Sequence, residues 1–168
     1  VWGDDEETTV AGFQKMWGRS TNMLTRRVHI LHRAMHDELL SSLAPLGLSL
    51  NQAIAVCYIH DHDDGPVYQR DLEREQGLTN PTITAMVKSM VANDVIYRIR
   101  DKNDGRFWQL KLTPHGLDLY EPASKVLLSV NERFVSRLTE EELRTFYALA
   151  AKLLQDDEAE EERAAREG

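Results

Sequence analysis

The chain has 168 residues, 42% of them hydrophobic, and a formal net charge of −8. That length holds one well-packed core, or a compact domain plus an oligomerisation element, and no apolar run approaches the ~18 residues of a membrane span. The negative total argues against coating nucleic acid through bulk charge. The lone Cys57 has no disulfide partner within the chain, and no basic-then-apolar leader is visible, so a reducing cytoplasm is the expected compartment.

Residues 1–12 are acidic and aperiodic and read as a loose arm. From Phe13 to about Leu46, Leu24, Val28, Leu31, Met35 and Leu39 recur at steps of three and four, one stripe of a long helix that Pro45 and Gly47 end. A stripe of that length needs a partner to cover it. Residues 48–60 predict a second helix, with Ser49 and Gln52 as a capping box. Residues 68–78 predict a short helix closed by Gly77, and residues 79–94 the next, with Asn80 as N-cap and Pro81 in the first helical position.

VIYRIR, residues 95–100, alternates Tyr97 and Ile99 against Arg98 and Arg100 and predicts a strand half-buried through the former pair. Asp104-Gly105 is the sharpest hairpin-turn signal in the chain. Residues 107–113 predict the return strand, with Trp108, Leu110 and Leu112 on one face. Pro114 opens a long helix to about Leu138 that Pro122 should kink or split. Thr139 and Glu142 form a second capping box for a helix over 139–155, and the tail 156–168 is an acidic charge run.

The order over 66–113 is helix, turn, helix, hairpin: a winged helix-turn-helix. The expected fold is mainly α with this small hairpin, and helical regions at 13–65 and 114–155 on either side. Such a motif places its second helix in the DNA major groove. On the wheel of 79–94, Ile83, Met86, Val87, Met90 and Val91 gather as the core face, and Pro81, Thr84, Ala85, Lys88 and Ala92 lie opposite. Small side chains permit close approach to base edges, and Thr84 can bond to them. Asn80, Pro81 and Thr82 mark a helix start that favours phosphate, with backbone N–H groups on Asn80 and Thr82 and none on the proline. In the hairpin Arg98, Arg100, Lys102, Asn103, Asp104 and Arg106 are candidates for the backbone and minor groove. Residues 66–113 hold eight Lys/Arg against six Asp/Glu, a local positive excess in an acidic chain.

GLTNPTITAMVKSM and RDKNDGRFWQLKLTPHG resemble the MarR (multiple antibiotic resistance regulator) family of bacterial transcription factors, and the likeness spans roughly residues 15–155. Asp104-Gly105-Arg106 matches the family's Asp-x-Arg wing, and Leu112 to Gly116 its Leu-Thr-x-x-Gly. The resemblance implies that Asp104 orients the wing and that Arg106 is the minor-groove contact. It also implies a homodimer built from the first and last helices, a palindromic double-stranded operator, and a repressor released by a small-molecule effector. Two positions depart from the pattern. Gly105 and Ala85 stand where many members carry basic residues, which points to modest affinity or an AT-rich operator.

For the effector, the family's crevice between dimer helices and winged domain makes Arg26, Arg27, His29, His32 and Arg33 the candidates, for an anionic or phenolic ligand. Their alternative role is to solvate the helix or pair with acids. A metal-responsive regulator is the second reading. His29, His32 and His36 share one helical stripe, and HDHDDG adds His60 and His62 among carboxylates. Cys57, inside an apolar stretch, reads as a small buried hydrophobe rather than a redox sensor. A third reading is a winged helix that serves as a protein-interaction module. No nucleophile elbow, phosphate loop, CxxC or HExxH occurs, so neither catalysis nor a cofactor is expected.

Overall fold

The computed structural model describes residues 24–102 and 104–154. The arm at 1–12, the predicted helix before residue 24, Asn103, and the tail at 156–168 lie outside the described residues. The elements are α1 (Leu24–Leu43), a 3-10 turn (Ala44–Leu46), α2 (Leu50–Asp61), β1 (Val67–Tyr68), α3 (Gln69–Gln76), α4 (Asn80–Ala92), β2 (Ile96–Arg100), β3 (Trp108–Leu112), α5 (Pro114–Val135) and α6 (Glu140–Leu154). No single helix among the described residues is long and apolar enough to cross a membrane. The chain divides into two compact units, Val1–Leu127 and Leu128–Gly168.

In the first unit each helix starts and stops where the local chemistry requires it. Gly47 takes φ +67° to close the 3-10 turn and donates to Ala44 O at 3.0 Å. Ser49 and Gln52 form the reciprocal box that starts α2: Gln52 N donates to Ser49 Oγ at 3.3 Å, and Ser49 N to Gln52 Oε1 at 2.9 Å. Asp71 accepts from Tyr68 N at 2.8 Å at the head of α3, and Gly77, at φ +59°, ends it. The N-cap of α4 is Thr79, one residue earlier than expected. Asn80 is already helical, its side-chain amide bonding Glu73 rather than capping, and Pro81 sits within the first turn, where no backbone donor is missed.

The sheet has three strands in the order β1-β3-β2, not two, because Val67 and Tyr68 pair with Leu110 and Gln109. β2 and β3 pair antiparallel, with Ile96 opposite Leu112, Arg98 opposite Leu110 and Arg100 opposite Trp108. Residues directly opposite share a face, so the buried face carries Ile96, Leu110 and Leu112, with Arg98 and Arg100 continuing it outward. The expectation that Tyr97 and Ile99 are the half-buried pair is therefore corrected: both are exposed. Beyond Ile96 the β2 strand outruns the core, and its side chains from Tyr97 to Arg100 stay exposed on both faces.

The core joins Leu43, Val56, Ile59, Leu72, Ile83, Val87, Met90, Ile96 and Leu110, all at most 1% exposed. At ~2 kcal/mol for each large side chain removed from water, Ile83, Val87 and Met90 fix which face of α4 turns inward. Met86 packs partly against the same core, whereas Val91, expected in it, is exposed.

The start of α5 is tied to the turn after α4. Asp94 holds φ +56° there, Thr113 N donates to Val95 O at 3.1 Å, the Thr113 hydroxyl donates to Asp94 O, and Gly116 N donates to Thr113 Oγ1 at 3.0 Å. A Cβ on Gly116 would lie 2.0 Å from Val95 O, so no other residue fits. α5 runs through Pro122 without splitting. The proline forfeits one bond to the carbonyl four residues back, and buried Leu119 and Ala123 hold the helix on either side of that gap.

In the second unit α6 opens on the Thr139–Glu142 box, with Thr139 N donating to Glu142 Oε2 at 2.8 Å and Glu142 N to Thr139 Oγ1 at 3.3 Å. Val130 and Ala151 are its buried apolar residues among those described, while Leu128, Phe146, Tyr147, Leu149, Leu153 and Leu154 are exposed.

Candidate nucleic-acid interface

The outward face of α4 is as expected: Asn80, Pro81, Thr82, Thr84, Ala85 and Lys88 are all exposed. It is locked to α3 by polar pairs that the sequence did not announce. Gln69 Nε2 donates to Thr84 Oγ1 at 2.7 Å, and Asn80 Nδ2 to Glu73 Oε1 at 2.6 Å. The Thr79 and Thr82 hydroxyls bond each other at 2.9 Å. With Gln69 supplying a proton, Thr84 keeps its own hydroxyl hydrogen to donate. Asn80 serves as a brace across the turn rather than as a cap.

At the wing, Asp101 is the anchor, and sequence reasoning missed it. It is 7% exposed, and it accepts from the Tyr68 hydroxyl, from Gln109 Nε2 at 2.7 Å and from Asp104 N at 2.9 Å. One carboxylate thus joins β1, both wing strands and the tip. Burial tolerates that charge because several donors answer it. Asp104 in turn accepts from Arg106 N at 3.1 Å, Nε at 3.0 Å and Nη2 at 2.7 Å. These bonds from Arg106, side chain first and backbone second, hold the Asp104 carboxyl below its ordinary range. The Arg106 side chain remains 84% exposed: a planar donor group fixed at one edge and open at the other.

Arg98, Arg100 and Lys102 are also exposed. The Arg100 guanidinium lies 5.2 Å from the Trp108 ring centre, so the wing's outer cation rests on an aromatic face.

The other sequence candidates fall elsewhere. Arg26, Arg27, His29, His32 and Arg33 are exposed along α1, and Arg33 reaches Asp37 at 3.5 Å. None of them lines the cleft of about 340 Å³ bounded by Ile54, Cys57, Tyr58, Asp61, His62, Glu75 and Leu127. The histidines considered for a metal do not converge. The His32 and His36 rings are 5.4 Å apart, His60 stacks on Tyr120 at 3.4 Å, and His62 stacks on Tyr58 at 4.0 Å while its Nδ1 bonds Tyr58 O at 2.8 Å. Among the described residues no three His, Cys, Asp or Glu side chains gather where an ion could sit. In the HDHDDG loop, Lys111 of β3 holds Asp63 at 2.9 Å, which draws the Asp63 carboxyl down in pKa. Burial, and then Asp61, push the Cys57 thiol up to about 11, leaving little thiolate near neutrality.

Residues 46–106 match the model of the MarR family. No curated protein matches the chain. Among solved structures, S. aureus MepR in complex with DNA is similar at 22% identity and a TM-score of 0.75, over 79% of this chain and 95% of that one. The transcription regulator MarR from Oenococcus oeni is similar at 23% and 0.71, over 80% and 100%. A mutant MarR from E. coli complexed with operator DNA is similar at 22% and 0.69, over 84% and 97%. At these identities the likeness establishes the fold.

Proposed function

We propose, from the premise that this chain belongs to the MarR family through the winged helix of residues 46–106, that it is a homodimeric, sequence-specific DNA-binding transcriptional regulator, a repressor released by a small-molecule effector. The observation that carries the reading is Arg106, held by Asp104 at the exposed tip of a wing that stands beside a helix with a small, polar outward face. An arginine fixed at one edge matches a narrow groove of high negative potential, and a face of Thr84, Ala85 and Lys88 permits a close approach to base edges. The MepR and E. coli MarR structures named above are DNA complexes, which supports the same partner here. Dimerisation is supported by the apolar side chains that α1 leaves in solvent: Leu24, Val28, Ile30 and Leu31. Two copies would present two recognition helices to half-sites one helical turn apart, and an effector that altered their spacing would break the fit.

The test is selection of duplexes from a random-sequence library, followed by affinity measurement across a salt series. Saturable binding to a palindrome is expected, with log affinity falling against log salt by about 0.9 per neutralised phosphate. Arg106→Ala should weaken the selected site by on the order of tenfold to a hundredfold with the dimer intact. Wild-type affinity in that variant would remove the wing from the proposal. Absence of any duplex binding would leave the winged helix as a protein-interaction module.

A further inference from the structure

We propose that Arg70, in the first turn of α3, is a further phosphate-contacting residue, held on an aromatic platform made by Tyr68 and Phe107. The inference rests on the DNA-binding reading above and adds to it a residue outside both the recognition helix and the wing.

The geometry starts at Asp101. By accepting from the Tyr68 hydroxyl it fixes that ring against the wing, and the Tyr68 and Phe107 rings meet edge to face, 6.0 Å apart at 65°. The Arg70 guanidinium lies over both, 4.9 Å from the Tyr68 ring centre and 5.4 Å from that of Phe107. Arg106 approaches the same Phe107 ring at 6.0 Å. One exposed phenyl ring therefore sits between a wing-tip arginine and an arginine of α3. Arg70 is exposed and makes no ion pair among the described residues, unlike Arg74 one turn later, which reaches Asp71 at 3.7 Å. Stacking orients a guanidinium while leaving its in-plane N–H donors open, the arrangement that suits a phosphate.

The position is as informative as the chemistry. Gln69, next in the chain, bonds Thr84 on the outward face of α4, while Arg70 leans on the wing. The head of α3 thus bridges the element meant for a major groove and the element meant for the adjacent minor groove. In B-form DNA those two grooves are separated by a single sugar-phosphate strand, so a cation on the bridge meets that strand.

The experiment compares wild type, Arg70→Ala, Arg70→Lys and Phe107→Leu on a selected duplex and a random one across a salt series, with thermal melting of each. Arg70→Ala should lower affinity about fivefold on both duplexes, reduce the salt slope by about 0.9, and leave melting and dimer formation unchanged. Arg70→Lys should keep the slope, because it keeps the charge. Phe107→Leu should weaken binding less in the Arg70→Ala background than in wild type. A slope and affinity in Arg70→Ala equal to wild type, while Arg106→Ala still fails, would overturn this assignment alone. Additive losses for Phe107→Leu and Arg70→Ala would overturn the platform. A wild-type protein that binds neither duplex would overturn this assignment together with the reading beneath it.

Discussion

Helix α1 and the wing both hand most of their side chains to solvent, in opposite chemistry. The wing shows Arg98, Arg100, Lys102 and Arg106, and beneath them Asp101 and Asp104 tie together Tyr68, Gln109, the Asp104 backbone and Arg106. Helix α1 shows Leu24, Val28, Ile30, Leu31 and Leu40. Exposed charge on a satisfied frame is at ease in water and selects for a polyanion by geometry. An exposed apolar stripe loses about 25 cal/mol for every Å² it leaves wet, and only another apolar surface recovers that. Under the proposed function the two regions take different partners: nucleic acid for the one, a second copy of the protein for the other.

The largest effect should come from placing charge in the stripe. Leu31→Asp would bury a carboxylate without a partner at the proposed dimer contact, a penalty of roughly 3–5 kcal/mol, and should turn a dimer into a monomer by light scattering. A dimer of unchanged strength would mean that α1 is covered in some other way. Next is Asp101→Ala. Its donors would lose their acceptor, which should destabilise the fold by about 2–3 kcal/mol and weaken DNA binding while the dimer persists. A melting curve like that of wild type would show that the wing does not depend on this carboxylate.

On α4 the two polar residues should differ in kind. Thr84→Ala should relax sequence preference, and Lys88→Ala should lower the salt slope by about one at unchanged preference. Equal losses on every sequence would break the assignment of α4 as the reading helix. The smallest effect is with pH. Asp104 is held below the ordinary carboxylate value of about 3.9 by Arg106. A depressed folded-state value means that the contact contributes in full above the ordinary value of about 3.9 and is lost as pH falls on through the lower folded-state value. In Arg106→Ala, the Asp104 titration followed by NMR should move up toward 3.9, and an unmoved titration would sink the pairing.

Much of this is legible in the sequence. Both capping boxes, the Asp104-Gly105 turn and the inward Ile83, Val87 and Met90 follow from short-range rules that tertiary structure reinforces. β1 was not legible, because a strand of two residues is too short to show alternation. The inner face of β2 is hidden for a related reason: alternation gives two faces but not which is dry, and a single position, Ile96, decides it. Asn80 passed for a cap because its partner, Glu73, sits across the turn. Asp101 left no local signal either, since its partners come from positions 68, 104 and 109. Arg26, Arg27, His29, His32 and Arg33 are grouped by their charge and by the crevice that the family resemblance implies. They lie along α1, whereas the described cleft is lined from α2, α3 and α5.

The joint at Thr113 and Gly116 has a mechanical meaning. Loops usually act as shock absorbers between helices, letting one tilt while the other stays still. Here the head of α5 is bonded through Thr113 to Asp94 and Val95, in the turn that follows α4, with Gly116 so close to that turn that a methyl group would not fit between them. That joint has no slack. A torque applied to the first turns of α5 is delivered to the end of α4 as rotation rather than absorbed as bending, as through a gear with no backlash.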